Sequence, residues 1–158
     1  MDKFDIVKRS GKVAFYQVPD SESYTRMQGF TSLSVSKNPE EYNSKYVDEN
    51  SKRTDTVGYD TSMSFTFDLV RDNAVHEDIT GIINNELTGA DAVRSIVVVD
   101  TKTNEARMRN YTVVADSEGD DENVYTYSGT FKANGEQVIG TATISDDGMT
   151  ATFTPASE

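Results

Sequence analysis

The chain has 158 residues, no cysteine, one histidine and a formal net charge of −12. Without cysteine it has no thiol nucleophile, no thiolate metal site and no disulfide. Its excess of carboxylates weighs against tight binding to nucleic acid, which depends on Lys and Arg to neutralise phosphates. Because no composition shift marks a boundary, we expect one domain over residues 1–158, large enough to fold around its own core.

Alternation of apolar and polar residues predicts two strands in the first half of the chain, at residues 29–36 and 61–68. In the first, Leu33 and Val35 alternate with Ser32, Ser34 and Ser36. In the second, Met63, Phe65 and Phe67 alternate with Ser62, Ser64, Thr66 and Asp68. Each strand is therefore expected to have one buried face and one polar face.

A long polar segment, residues 37–58, separates these two strands, and Tyr42, Tyr46 and Val47 are its main apolar residues. A structureless loop above about 15 residues is uncommon inside a compact domain and is usually functional or disordered. The alternation of Tyr42, Ser44 and Tyr46 also permits an extended arm or a hairpin. The pattern leaves these alternatives open.

Residues 73–86 show helical periodicity instead, because Val75, Ile79, Ile82 and Ile83 recur on one face. Asp72 or Asn73 can cap the first turn, and Gly89 lies just beyond the expected end. A helix with this apolar stripe is expected to pack against the sheet.

The single histidine, His76, lies in the first turn of this predicted helix. It has no second histidine and no cysteine with which to form a zinc site. We expect it at the surface or in a helix cap.

The second half of the chain is predicted to consist of consecutive antiparallel hairpins. Residues 93–99 are almost continuously apolar, which predicts a strand buried on both faces. Turn signals at Asn134-Gly135 and Asp147-Gly148 separate the later strands. The remaining strands are predicted at residues 107–115, 125–131, 138–145 and 150–154.

The sequence contains no nucleotide-binding or nucleophile-elbow motif, so we expect no catalytic, cofactor or metal site. A pair of carboxylates for acid–base chemistry remains open at this level, because only the fold brings such a pair together. The acidic run at residues 116–122 lacks the spacing of an EF-hand loop. Neither a signal peptide nor an apolar stretch of membrane-spanning length is present, so we expect a cytoplasmic protein without membrane contact.

An ordered set of segments between Met27 and Asp100 resembles the major tail proteins, or tail tube proteins, of long-tailed phages and prophages of Gram-positive bacteria. The segments are residues 29–39, 46–49, 53–59, 65–68, 73–79 and 93–100. The resemblance covers about half of the chain and rests on the order and spacing of the segments together.

The resemblance implies a mainly β fold: a sandwich or barrel-like pair of antiparallel sheets with one flanking helix at about 73–86 and a long arm at about 37–58. It also implies homo-hexameric rings that stack into a hollow tube, through which DNA passes during ejection without tight binding. The implied partners are other copies of the chain and the tail terminator, distal tail and tape-measure proteins. The implied location is the virion tail, assembled in the cytoplasm of the host bacterium.

The same resemblance suggests roles for particular residues. The arm would contact a neighbouring subunit through Tyr42, Tyr46, Lys52 and Arg53. The polar strand faces suit a lumen wall, with Ser32, Ser34, Ser62, Ser64 and Thr66 as its residues, although a solvated outer face is the alternative. The helix, through Val75, Ile79, Ile82 and Ile83, would pack on the sandwich and help to seat the next subunit.

Two other interpretations remain. The chain could be the inner tube subunit of a contractile tail or secretion device with the same broad fold. It could also be a β-sandwich binding module, although such modules usually display exposed aromatic residues and this chain has no tryptophan. An enzyme is the least favoured class.

Overall fold

The computed structural model describes residues 6–156 and is mainly β. Residues 1–5, on which part of the signal-peptide expectation rests, and residues 157–158 lie outside the described part. The eleven strands are β1 (Lys12–Tyr16), β2 (Tyr24–Arg26), β3 (Phe30–Ser36), β4 (Pro39–Ser44), β5 (Arg53–Tyr59), β6 (Ser62–Asp68), β7 (Val93–Asp100), β8 (Glu105–Glu118), β9 (Thr126–Ala133), β10 (Val138–Ile144) and β11 (Thr150–Pro155). The α-helix is α1 (Ala74–Asn84), and short 3-10 turns occur at Arg9–Gly11 and Gly89–Ala92.

Nine strands form one antiparallel sheet in the order β10-β11-β2-β1-β7-β8-β9-β6-β3, and β10 also pairs with β8. This extra pairing closes β10, β11, β2, β1, β7 and the first half of β8 into a small barrel. The second half of β8, which is 14 residues long, continues with β9, β6 and β3 as an open four-stranded sheet. The predicted barrel-like pair of antiparallel sheets with one helix is confirmed.

Two apolar clusters form the core, and β1 and β7 separate them. Phe15, Val97 and Val99 lie inside the barrel. Tyr16 and Ile96 face the other way, into a larger cluster with the inner side chains of the four-stranded sheet and with α1. The prediction that residues 93–99 form a strand buried on both faces is confirmed.

The helix begins where its sequence predicts. The Asn73 side chain caps it, because Oδ1 accepts hydrogen bonds from the backbone N–H groups of Val75 and His76 at 3.0 and 3.2 Å. The helix ends at Asn84, two residues before the predicted boundary, and Glu86 has a left-handed φ of 51°. The Leu87 N–H then donates to the Ile82 carbonyl at 3.0 Å, so Glu86 rather than Gly89 reverses the chain.

A partly buried polar network fixes α1 to two strands. Asp78 on α1 accepts hydrogen bonds from the Tyr16 hydroxyl on β1 and from Arg94 on β7, whose Nε lies 2.8 Å from Oδ2. Arg94 also donates to the Val93 carbonyl at 2.8 Å. Burial, and then the hydrogen bond to Asp78, raises the pKa of Tyr16 far above its usual range, so the hydroxyl stays a donor. This network sets the position of the helix on the sheet.

The prediction that His76 lies at the surface or in a cap is wrong, since its exposed fraction is 0%. The ring stacks against Phe67 with a 4.4 Å centroid separation. Nδ1 accepts from the Val70 N–H at 3.1 Å, so the neutral ring donates from Nε2 to the Gln28 carbonyl at 2.6 Å. Gly29 makes room for it: φ is 79°, and a Cβ would lie 2.8 Å from His76 Cε1.

Burial lowers the pKa of His76 below its ordinary 6.5, although the Gln28 carbonyl and Asp68 oppose this change. On acidification the unfolded chain therefore takes up the proton before the folded one does. We expect the contribution of His76 to the free energy of unfolding to be full above about pH 6.5 and to be lost progressively below it. Urea unfolding at about pH 7.5 and pH 5.5 should show a larger loss for the native chain than for His76→Gln. Equal losses in the two proteins would contradict this role of His76.

Candidate assembly surfaces

Residues 39–59 form a hairpin, called the arm below, whose strands β4 and β5 pair only with each other. The open alternatives for this segment are thereby resolved in favour of a hairpin. None of its residues is buried, and its large apolar side chains Tyr42, Tyr46, Val47, Val57 and Tyr59 are all exposed. An isolated two-stranded hairpin is marginally stable in water. A second surface that covers these side chains would stabilise the arm.

The predicted contact residues are divided between the middle and the tip of the arm. Tyr42 lies opposite Asp55 in the middle of the hairpin. At the tip, Arg53 Nε donates to Glu49 at 2.9 Å, and its guanidinium carbon lies 5.5 Å from the Tyr46 ring centroid. Lys52 is exposed in the tip. The structure thus brings Tyr46 and Arg53 together, whereas their contact with a neighbour stays a prediction.

The five residues predicted to line a polar wall lie on one face of the four-stranded sheet. Ser32 lies opposite Thr66, and Ser34 lies opposite Ser64. Strands β9 and β8, which the prediction of this face left out, extend it in register with Ser128, Thr130, Lys132, Thr112, Val114 and Ser117. The alternation of Ser128, Thr130 and Lys132 with Tyr127, Gly129 and Phe131 is the sequence signal that could have included β9.

This polar face carries hydroxyl groups and almost no charge. Thr66 and Ser128 bond to each other across β6 and β9 at 3.2 Å, and Asn134 donates to the Thr112 hydroxyl at 3.0 Å. On β3, β6 and β9 the charged residues of this face are Asp68 and Lys132, of opposite sign. Such a surface offers few of the Lys and Arg contacts that hold phosphate backbones.

The four-stranded sheet has a free edge on β3. The Asp60 N–H donates to the Asn38 carbonyl at 3.1 Å, so these two residues form a hydrogen-bonded pair. Along an antiparallel ladder such pairs alternate with pairs whose backbone groups point away from the partner strand. The backbone groups of Ser34 therefore point to β6, whereas those of Leu33 and Val35 point outward. Arg9 donates to the outward Leu33 carbonyl at 3.1 Å, and no strand within residues 6–156 pairs with this edge.

A second free edge lies on the end of β8. The Asn134 N–H donates to the Asn110 carbonyl at 2.8 Å, so the backbone groups of Val113 and Ala115 point away from β9. Strand β7 pairs with β8 only as far as Val93 opposite Thr112. Within the described part of the chain, the four-stranded sheet is thus open on both sides.

The chain matches no protein-family model and no curated protein by sequence. By structure it is similar to a chain in the tail of an empty gene transfer agent particle with C6 symmetry, with a TM-score of 0.65 and 11% identity over 82% of this chain and 96% of that one. For a chain of the six-fold symmetrised anti-feeding prophage baseplate, the TM-score is 0.54, with 8% identity over 88% of this chain and 97% of that one. For a chain of the extracellular contractile injection system PVC, in its extended sheath–tube complex, the TM-score is 0.50, with 10% identity over 87% of this chain and 93% of that one. The chain shares its fold with components of these particles.

The end of the sheet opposite the arm carries a second exposed apolar group, called the end patch below. It consists of Leu69, Val70, Val124 and Tyr125. The Leu69 N–H donates to the Tyr125 carbonyl at 2.9 Å, which brings the two segments of the group together. Because β3 and β6 run between the arm and Leu69, the base of the arm lies about a strand length from the end patch, roughly 20 Å.

The acidic run at residues 116–122 borders the end patch. Glu118 Oε2 accepts from the Tyr125 hydroxyl at 2.7 Å, and the Asp121 carboxylate accepts from the N–H groups of Asn123 and Val124. These backbone bonds lower the pKa of Asp121 below its ordinary value. Among residues 6–156, no three His, Cys, Asp or Glu side chains are grouped as they would be around a metal ion.

The four helix residues assigned to docking pack within their own chain. Val75, Ile79 and Ile82 are buried, and Ile83 packs against the same cluster. A neighbour could therefore contact only the opposite face of α1, where Glu77 and Asn84 are exposed. The seating of a next subunit by α1 stays a prediction. No helix in the described residues is long and apolar enough to cross a membrane.

Proposed function

We propose that this chain is a tail tube subunit, with a structural rather than an enzymatic role. Six copies would close into a ring, and rings would stack into a hollow tube through which DNA leaves the particle. The observation that carries this proposal is the four-stranded sheet with one hydroxyl-rich face and two free edges, in a fold similar to that of a chain from a C6-symmetric tail.

The free edges on β3 and β8 have the strand directions needed to pair with each other between neighbouring copies. Strands β3, β6, β9 and β8 alternate in direction, so β3 and β8 run oppositely. Rotation about a ring axis preserves strand direction relative to that axis. The β8 edge of one copy therefore meets the β3 edge of the next in antiparallel orientation, and a closed ring leaves no edge unpaired.

The polar face would line the lumen. Its hydroxyl groups are hydrated without offering strong phosphate contacts, and the net charge of −12 adds repulsion of DNA. DNA would then slide past Ser32, Ser34, Ser62, Ser64 and Thr66 without being held. The opposite face of this sheet is occupied by the core and α1, so it cannot be the wall.

The proposal also names the binding partners of the subunit and its location in the particle. The subunit would join its own copies, then a tail terminator at one end of the tube and distal tail proteins at the other, around a tape-measure protein. Assembly would occur in the host bacterial cytoplasm, and the product would be the virion tail of a long-tailed phage or prophage of Gram-positive bacteria. A second candidate, the inner tube of a contractile device, is favoured by the similarity to a chain of a contractile sheath–tube complex.

Replacement of arm residues 40–58 by a short Gly-Ser linker tests the proposed function. The arm contributes nothing to either core cluster, so the variant should remain a folded monomer with a thermal midpoint close to that of the native chain. It should form no tubes by negative-stain electron microscopy at concentrations at which the native chain does. Normal tubes from the armless variant would contradict the assigned role of the arm.

A further inference from the structure

The arm and the end patch are the two largest groups of exposed apolar side chains in the described chain, and they lie at opposite ends of the four-stranded sheet. The arm leaves the sheet after Ser36 and returns at Ser62, which pair with each other. The end patch begins at Leu69, one residue after the pair formed by Asp68 and Thr126. In a copy shifted along the strand direction, the end of the sheet that carries the arm therefore lies next to the end patch of its neighbour.

The arm tip and the surroundings of the end patch have charges of opposite sign. Residues 116–122 beside the end patch contain five acidic residues and no basic one. The arm tip, residues 45–53, carries Lys45, Lys52 and Arg53 against Asp48 and Glu49, a balance of +1, and Arg53 is paired with Glu49. Lys45 and Lys52 are both exposed. The lysines on the tip and the carboxylates around the patch would attract each other, and the apolar side chains would exclude water between them.

We propose that the end patch is the receiving surface for the arm of a second copy of this chain, in the next ring of the stack. The contact joins Tyr46 and Val47 at the arm tip to Val70, Val124 and Tyr125 of the neighbour, with Lys52 facing the acidic run. It is heterologous, so every copy uses both surfaces and the contact repeats without closing. This inference rests on the proposed function, whose failure the experiment below detects separately.

Because the chain has no native cysteine, paired cysteine substitutions test the contact directly. Val47→Cys is combined with Val124→Cys in one protein and with Val70→Cys in a second, at exposed positions whose substitution leaves the core intact. Mild oxidation of assembled protein should convert at least one of these variants into a ladder of covalent multimers on non-reducing gels. A ladder, rather than a dimer, follows because each copy would be linked through both of its surfaces.

Two controls are matched to these variants. Val47→Cys alone should give no ladder, since a head-to-tail contact does not join a residue to its own copy. Val47→Cys with Thr143→Cys places the second thiol at an exposed position on barrel strand β10, which pairs with the other half of β8. Circular dichroism and electron microscopy should show that each variant folds and assembles like the native chain.

The possible outcomes are distinct. Tubes with a ladder specific to the end-patch variants support the contact. Tubes in which Val124→Cys and Val70→Cys cross-link no more than Thr143→Cys overturn it and leave the proposed function standing. If the native chain forms neither rings nor tubes, with or without a tail-initiation complex, the proposed function fails, and this inference fails with it.

Discussion

Val35→Pro is expected to prevent ring formation at the concentration at which the native chain assembles, while leaving the subunit folded. The Val35 N–H points away from β6, so proline at this position removes no hydrogen bond within the subunit. In a ring it would remove a bond to the β8 edge of the neighbour and place its ring atoms in the way of that strand. The loss recurs at every subunit contact, so we expect at least about a tenfold rise in the concentration needed for assembly.

Electron microscopy and analytical ultracentrifugation check this result. Val35→Thr is the matched control, because threonine keeps the N–H and suits a strand. Ser34→Pro is the opposite control: its N–H points to β6, so this variant should lose thermal stability as a monomer. Rings from Val35→Pro at the native concentration would show that the β3 edge does not join subunits.

Asp78→Ala is expected to produce the largest loss of subunit stability, about 3–5 kcal/mol in the free energy of unfolding. The substitution leaves the Tyr16 hydroxyl without its acceptor in the core and leaves the Arg94 guanidinium, 15% exposed, without its carboxylate. It also releases α1 from β1 and β7. Urea unfolding of the monomer provides the measurement.

Glu49→Ala supplies the comparison for Asp78→Ala. It removes the other well-formed carboxylate–guanidinium pair, at the exposed arm tip, and should cost less than about 1 kcal/mol. In a Tyr16→Phe background the cost of Asp78→Ala should also shrink, because the orphaned hydroxyl is gone. Equal costs for Asp78→Ala and Glu49→Ala would contradict the structural role of the partly buried network.

The sequence predicted the elements whose local pattern agrees with their burial. Strand β6 alternates, and its apolar residues are buried as expected. The turn at Asp147-Gly148 forms because Gly148 takes a φ of 75° and Asp147 Oδ1 accepts the Met149 N–H at 3.0 Å. The local sequence was sufficient to predict both strand β6 and this turn.

Other parts of the fold depend on distant contacts. Strand β1 has only five residues, and its last three are buried although they point to alternate faces of the sheet. Its sequence therefore shows no alternation of apolar and polar residues that would predict a strand. The pairing of β10 with β8, which closes the barrel, is a register between distant strands that no local pattern specifies. The burial of His76 has the same origin, since its ring partners Gln28 and Phe67 belong to other segments.

The candidate surfaces were predicted in part for the same reason. The alternation of serine and threonine in β3 and β6 identified the polar face, but its continuation onto β9 required the sheet order. The period of the helix residues predicted that they pack against the sheet, and they are buried there, but the period does not show which strands they contact. The end patch joins residues 69–70 and 124–125, which only the β6–β9 pairing brings together.

Cryo-electron microscopy of the purified, concentrated chain, with and without a tail-initiation complex, tests the central claim most directly. We expect six-fold rings or tubes whose inner wall is a continuous barrel, with β8 of each copy paired to β3 of the next and Ser34, Ser64 and Thr130 facing the lumen. A chain that stays monomeric in both conditions, or that assembles with this hydroxyl-rich face on the outside, would contradict the account.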